Sequence, residues 1–268
     1  ELKDMRITVE AGCGAAGTRP NGIFANGMDN LLLENLSITG DITVGSDGNV
    51  NRQNSIYFAN TDYSLIVNCT GTNNYYSGIR MYDSDYDTLR DCTFSSNTFQ
   101  GIFAEDSNYN TYDSCYCHSN TERGMWLKTS TNAKVNKGIY QSNSKSGIYW
   151  QSVDNSAVME ASLLSNTLNG LYVGGDYNRI GFNKAYDNTQ DGLHLASGDY
   201  NSFIGNTSES NGDDGLDIEG GANTNYTVVD GNQLIGNGGT DYVDNGNQTE
   251  YWGGSTNANI ELRPELDE

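Results

Sequence analysis

The chain has 268 residues, with 35 acidic against 14 basic side chains and a net charge of -21, so nucleic acid and anionic membrane surfaces are repelled rather than attracted. Gly is abundant at 32, Pro nearly absent at 2, and 18 Tyr stand against 7 Phe, a composition of many short strands separated by turns. No apolar run is long enough to span a bilayer.

The opening residues ELKDMRITVE lack the basic-then-apolar layout of a signal peptide, and the missing initial Met suggests a mature form or a segment of a longer protein. Residues 1–20 read as a lead-in or cap. NGIFA at 21–25 then opens a self-similar series, which an insertion at 41–53 interrupts. NSIYF at 54–58 resumes it with Ser55 in the glycine place, followed by SGIRM at 77–81, QGIFA at 100–104, RGMWL at 123–127, SGIYW at 146–150, NGLYV at 169–173, DGLHL at 191–195 and DGLDI at 214–218. From Gly78 onward the marker glycines are spaced 23, 23, 23, 23, 22 and 23 residues apart. An Asn recurs 19 residues after nearly every marker, at Asn74, Asn97, Asn120, Asn143, Asn166 and Asn211, with Asn188 in the shortened unit. The regular series covers 21–240, and 241–268 reads as a C-terminal cap or tail of the same single domain, 1–268.

A repeat this short, with period-2 alternation and no leucine framework, excludes helical-pair and leucine-rich solenoids. It predicts an all-β, single-stranded parallel solenoid of nine to ten coils, each of 22–23 residues, rising about 4.8 Å per coil to about 40 Å. On these repeats the chain resembles the pectate-lyase-like superfamily, which implies a right-handed parallel β-helix, a fold shared by lyases, hydrolases, epimerases, tailspikes and adhesins.

Equivalent residues of successive coils stack, so each repeat position can be read down the rod. One residue after the marker, Ile56, Ile79, Ile102, Met125, Ile148, Leu171, Leu193 and Leu216 form a core ladder. Fourteen after it come Cys69, Cys92 and Cys115, then Gly138 and Ala161, a tight inward position. The stacked thiols read as small buried hydrophobes, with a soft-metal site or a strained disulfide as alternatives. Five cysteines leave one unpaired in a monomer, and neither Cys13 nor Cys117 has an evident partner. The recurrent Asn is expected to form a hydrogen-bonded amide ladder.

Two residues after the marker the side chain points outward. The occupants are Phe24, Tyr57, Arg80, Phe103, Trp126, Tyr149, Tyr172, His194 and Asp217. Rings bordered by Tyr82, Glu105, Lys128, Gln151, Glu219, Glu122, Arg123 and Lys145 suit a glycan groove, with self-stacking and a homotrimer interface as alternatives. The substrate-binding candidates are Arg80, Phe103, Trp126, Tyr149, Tyr172, Lys128 and Arg123.

At NGDDGLDIE, residues 211–219, Asp214 precedes its marker and Asp217 follows two later, while Asp191 stacks one coil below Asp214 and His194 on Asp217. Asp191, Asp213, Asp214 and Asp217 thus converge, and clustered carboxylates call for protonation or a hard cation such as Ca2+. The arrangement resembles the calcium site of family 9 polysaccharide lyases, in which an Asp on one coil joins a D-D-x-x-D run on the next. The resemblance implies calcium-dependent β-elimination on a uronate-containing polysaccharide. That family places its Lys base downstream of the run, where this chain has only Arg263. Lys145 and His194 are the substitute candidates. The GHG and RIK signatures of the hydrolases and the YGFDPH signature of alginate epimerases are absent. The alternative function is a non-catalytic glycan-binding rod, tailspike-like or part of a cell-surface adhesin. Either reading places the protein outside the cell or on a cell or virion surface, where the sequons at Asn35, Asn68, Asn206, Asn225 and Asn247 would be open to glycosylation.

Overall fold

The computed structural model describes residues 21–40, 53–219, 224–246 and 249, together with the backbone of strands Leu2–Lys3, Arg6–Thr8, Glu250–Trp252 and Ile260–Leu262. Cys13, Arg263, Asn247 and all of the 41–53 insertion except Gln53 lie outside the described residues. No helix among the described residues is long and apolar enough to cross a membrane.

Each coil contributes one strand to each of three parallel sheets, which hold 11, 10 and 11 strands. The marker sheet runs from Ile23–Asn26 to Ile260–Leu262. It has eleven strands where the markers predict nine to ten coils, because Tyr242–Asp244 and Ile260–Leu262 continue the pairing without a marker glycine. In the other two sheets the strands are mostly three residues long, as in Thr88–Arg90 and Thr93–Ser95, with a two-residue corner between them.

The predicted register holds: Ile102 pairs with Met125, and Met125 with Ile148. All eight members of this ladder, from Ile56 to Leu216, are fully buried. A second inward column, two residues on, adds Phe58, Met81, Ala104, Leu127, Trp150, Val173, Leu195 and Ile218, also buried. The marker is glycine because the next coil's backbone crowds it. A Cβ on Gly101, Gly124 or Gly170 would lie 2.7, 2.6 or 2.5 Å from the carbonyl oxygen of the following marker. The core balances volume between and within coils: Gly71 yields to the ring of Phe94 on the next coil, and Gly138 to that of Tyr140 on its own.

Cys69, Cys92, Cys115 and Cys117 are free and buried. The three stacked thiols donate weakly to backbone carbonyls, Cys92 to Arg90 O at 3.3 Å for example, as small core side chains do. Beyond Ala161 the same column changes chemistry and becomes an amide ladder of Asn183, Asn206 and Asn232.

The predicted Asn ladder is continuous. Asn97 Oδ1 accepts both the backbone N–H and the Nδ2–H of Asn74, at 3.1 and 2.7 Å. The pattern repeats through Asn120, Asn143, Asn166, Asn188, Asn211 and Asn237. A second amide proton goes to a core-strand carbonyl, from Asn120 to Phe94 and from Asn143 to Cys117. The run ends at Ser55 Oγ on one side and at the carboxylate of Asp241 on the other.

One residue breaks this logic. In a neighbouring column Asp87 Oδ1 accepts from Ser64 N–H at 2.7 Å, while Oδ2 is buried without a partner. Equivalent Asn110 and Asn178 place an Nδ2–H donor there, aimed at the carbonyls of Ser84 and Val153. Burial pushes Asp87 up to about 8, against its ordinary 3.8.

Asn143→Ala removes the acceptor for two buried donors of Asn120 and is expected to lower stability by on the order of 2–5 kcal/mol in urea denaturation. Asp87→Asn acts in the opposite direction. Because the folded-state pKa is raised, the wild-type chain binds a proton on folding and loses that stability as pH climbs from 3.8 through about 8. The variant is expected to be about 1–3 kcal/mol more stable than wild type above that pH, with the difference vanishing in acid.

Candidate functional site

The outward column of the marker sheet forms because period-2 alternation forces every second side chain away from the core, and pairing then stacks those side chains coil on coil. Phe24, at the N-terminal end, is 57% exposed, whereas Tyr57, Arg80 and Phe103 are buried and Trp126, Tyr149 and Tyr172 are half-buried. The cover comes from within the column. Phe103 stacks on Trp126 at 4.7 Å, Tyr149 on Tyr172 at 4.4 Å and Tyr172 on His194 at 5.1 Å, while Trp126 meets Tyr149 edge-on. Arg80 lies 4.6 Å from the Phe103 ring centre, and Arg123 lies 4.7 and 4.2 Å from those of Trp126 and Tyr149. The ring faces are thus largely engaged with each other and with guanidinium groups, leaving mainly ring edges towards solvent.

The basic side chains of this face are paired. Glu105 joins Arg80 at 3.3 Å and Lys128 at 2.5 Å, and Glu122 joins Arg123 at 3.3 Å and Lys145 at 2.5 Å. Burial lowers the pKa of Arg123 from its ordinary value. Burial raises Tyr172 to about 12, reinforced by Tyr149 and Glu219.

A cavity of about 290 Å³ opens where this column meets the aspartates, walled by Arg123, Tyr149, Tyr172, Asp191, His194 and Asp213, with Ser146, Asn169 and Gln190 adding polar groups. Lys145, Trp126 and Lys128 are not among the lining residues, the last two lying on the strand that follows Arg123, and Arg80 and Phe103 sit on coils further towards the N-terminus.

His194 is held by three carboxylates. Nδ1 lies 3.0 Å from Asp191 and 3.0 Å from Asp217, and Nε2 lies 3.2 Å from Glu219. Burial lowers its pKa, but the hydrogen bonds and charges of Asp191 and Asp217 outweigh that and raise it to about 9. The imidazole is therefore cationic at neutral pH and neutralises part of the cluster. Glu219, which the sequence places in the bordering outward column two residues beyond Asp217, is the partner of His194 that the Asp–His reading did not include.

The four predicted metal ligands divide into two groups of close ligand atoms, Asp191 with His194 and Asp217, and Asp191 with Asp213 and Asp214, each within 4.8 Å. Oxygen ligands that far apart fit around one Ca2+, whose bonds are about 2.3–2.6 Å, so the all-carboxylate group suits a hard cation. Asp217 is turned to the imidazole instead. Two of the aspartates also serve the scaffold. Asp191 Oδ1 accepts from Asp214 N–H at 3.0 Å and Asp214 Oδ1 from Thr240 N–H at 2.6 Å, continuing a column in which Asn169 Oδ1 accepts from Asp191 N–H. Burial raises Asp214 above the usual carboxylate range, opposed by the Thr240 hydrogen bond and reinforced by Asp213, Asp191 and Asp217.

Coils, register and site together invite comparison with known proteins. The right handed beta helix region family matches residues 11–160 and 139–261. The chain belongs to that family. Among solved structures, this β-helix chain is similar to the periplasmic alginate epimerase AlgG, with TM-score 0.73 and 14% identity over 95% of this chain and 73% of that one. It is similar also to the pectate lyase Pel9A, with TM-score 0.69 and 16% identity over 93% and 70%. A third likeness is to the Dettilon tailspike protein, with TM-score 0.67 and 15% identity over 87% and 55%. At such identities the likeness establishes the fold. No curated protein matches the chain in sequence.

The imidazole makes stability pH-dependent. Its folded-state pKa lies above its unfolded value of 6.5, so its contribution, about 3 kcal/mol, is complete below 6.5 and lost as pH rises through about 9. Urea midpoints of wild type are expected to fall across that window, and His194→Gln to lack this part of the fall.

Proposed function

We propose that this β-helix protein is carbohydrate-active and holds an acidic polysaccharide along the marker sheet, with a uronate residue seated in the Arg123–His194 cavity for calcium-dependent β-elimination. The observation that carries the reading is the convergence of Arg123, cationic His194, two tyrosines and the carboxylates of Asp191 and Asp213 around one cavity of sugar-ring size, about 290 Å³. Asp191, Asp213 and Asp214 are the residues that would hold Ca2+, which when bound neutralises the uronate carboxylate and acidifies the C5 proton. Elimination then moves that proton to a base, forms the C4–C5 double bond and expels the 4-linked oxygen, which takes a proton from water.

A base must be neutral before it can accept the proton. Lys145 is ion-paired with Glu122 and His194 keeps its proton up to about 9. In this reading His194 serves as base only in its neutral form, which its ion pairs with Asp191 and Asp217 oppose. The ion pairing also favours a second reading, a non-catalytic glycan-binding rod in which the same groove recognises a surface polymer and no proton moves. Either activity belongs to a secreted or surface-placed protein.

Uronate polymers incubated with calcium are expected to give the absorbance of unsaturated ends at a rate that rises with pH as His194 loses its proton. Asp213→Asn is expected to weaken calcium binding and so raise the calcium concentration needed for activity, and His194→Ala to slow the reaction by about 10²–10⁴-fold. Retained polymer binding without absorbance at any pH would remove the lyase reading and leave the binding rod. Loss of both would remove the whole proposal.

A further inference from the structure

At the corner that follows the marker strand, one position per coil is held in the left-handed region. Its occupants are Tyr63, Tyr86, Tyr109, Asn132, Asn155, Tyr177, Tyr200 and Tyr226, with φ between 52° and 59°. Asn tolerates this backbone readily, while a bulky aromatic rarely adopts it. The tyrosines are nevertheless ordered into two exposed stacks. Tyr63, Tyr86 and Tyr109 have ring centres 4.9 and 4.7 Å apart, Tyr177, Tyr200 and Tyr226 have them 4.8 and 4.7 Å apart, and all four pairs lie within 8° of parallel.

The two stacks are interrupted by Asn132 and Asn155, leaving three coil spacings, about 14 Å, between the rings of Tyr109 and Tyr177. An Asn side chain extends no further than the base of a tyrosyl ring, and Asn132 Nδ2 turns aside to donate to Thr131 Oγ1 at 3.2 Å. The outer faces of Tyr109 and Tyr177, side chains 48% and 56% exposed, therefore look at each other across an amide floor.

A second observation comes from the adjoining turn. There Gly175 and Gly198, at φ 137° and 121°, occupy the place that Ser84, Ser107, Ser130 and Val153 hold in the preceding coils. A Cβ on either would come within 2.1 and 1.9 Å of backbone oxygen. A cavity of about 390 Å³ opens over these glycines, bordered by Ser152, Asp154, Asp176, Ser197 and Asp199, of which Asp154 and Asp176 directly precede Asn155 and Tyr177 in the chain. Asp154 Oδ1 and Asp176 Oδ1 accept from the N–H groups of Asp176 and Asp199, and each carboxylate keeps a further oxygen that can accept.

We propose that the break in the tyrosine ladder, between Tyr109 and Tyr177 and over Asn132 and Asn155, is a binding site for an uncharged sugar. Flat ring faces suit the apolar faces of a pyranose, amides offer both donors and acceptors, and spare carboxylate oxygens accept from hydroxyls. The same carboxylates repel a uronate, so this site selects against the polymer assigned to the marker sheet and is independent of it.

The test is saturation-transfer NMR of the full chain with uncharged gluco-, manno- and galacto-oligosaccharides and with uronate oligosaccharides. At least one uncharged series is expected to bind. Tyr109→Asn and Tyr177→Asn, which keep a residue suited to left-handed backbone, are each expected to weaken it about tenfold. Asn132→Tyr with Asn155→Tyr continues the ladder through the gap and is expected to abolish binding while circular dichroism remains that of wild type. Unchanged binding in that double variant or in both Tyr→Asn variants, no binding of any uncharged series, or competition by uronate oligosaccharides at this site would overturn the proposal. Asp213→Asn, which tests the marker-sheet cavity, should leave uncharged-sugar binding unaltered.

Discussion

The structure depends on buried amides that hydrogen-bond from coil to coil. A parallel stack of three-residue strands has little side-chain area per strand with which to specify register, and a slip by one residue would exchange the inside of the rod for its outside. An Asn whose oxygen accepts two protons from the coil before and whose nitrogen donates to the coil after tolerates no such slip. A displaced neighbour would leave buried polar groups without partners at a cost of about 1–3 kcal/mol each. The apolar columns supply the driving force for burial, and the amide columns determine which coil position lies over which.

That division explains what could be read in the sequence. The marker glycines and the Asn 19 residues behind them expose the period, and the period alone puts Ile102, Met125 and Ile148 in one column. The convergence of Asp191 with Asp213 and Asp214, and of His194 with Asp217, follows from the same arithmetic. What the arithmetic cannot supply is side-chain direction within a column. Whether Trp126 offers its face to a sugar or to Phe103 and Arg123 depends on rotamers and on neighbours one coil away. The turn of Asp217 towards the imidazole, and the addition of Glu219, depend likewise on local electrostatics. The switch from thiols at Cys69, Cys92 and Cys115 to amides at Asn183, Asn206 and Asn232 is visible in the letters, but one shortened and one lengthened coil move Asn183 and Asn232 off the common spacing from the marker.

The acidic character of the chain also looks different once the hydrogen bonds are traced. Asp62, Asp85, Asp154, Asp176 and Asp199 each accept a backbone N–H of the next coil through one carboxylate oxygen, as Asp191 and Asp214 do beside the cavity. Much of the charge of -21 therefore comes from turn chemistry repeated down a solenoid. An aspartate run in such a fold is first a set of turn acceptors, and a ligand site only where a further group joins it. In the two proposals above, His194 is that group at the marker-sheet cavity, and the open tyrosine faces are its counterpart at the corner.

The amide ladder also has a direction, since every member offers its nitrogen towards the C-terminal end. At that end Asn237 meets Asp241, a group that only accepts when ionised, at 2.8 Å. A carboxylate there closes the sequence of donors without creating a new unsatisfied one, much as a terminator tile ends a row. The sheets themselves run on past this point, to Glu250–Trp252 and Ile260–Leu262. Among the described residues the amide run is therefore shorter than the strand stack that it keeps in register, and a single carboxylate marks where the one stops and the other goes on.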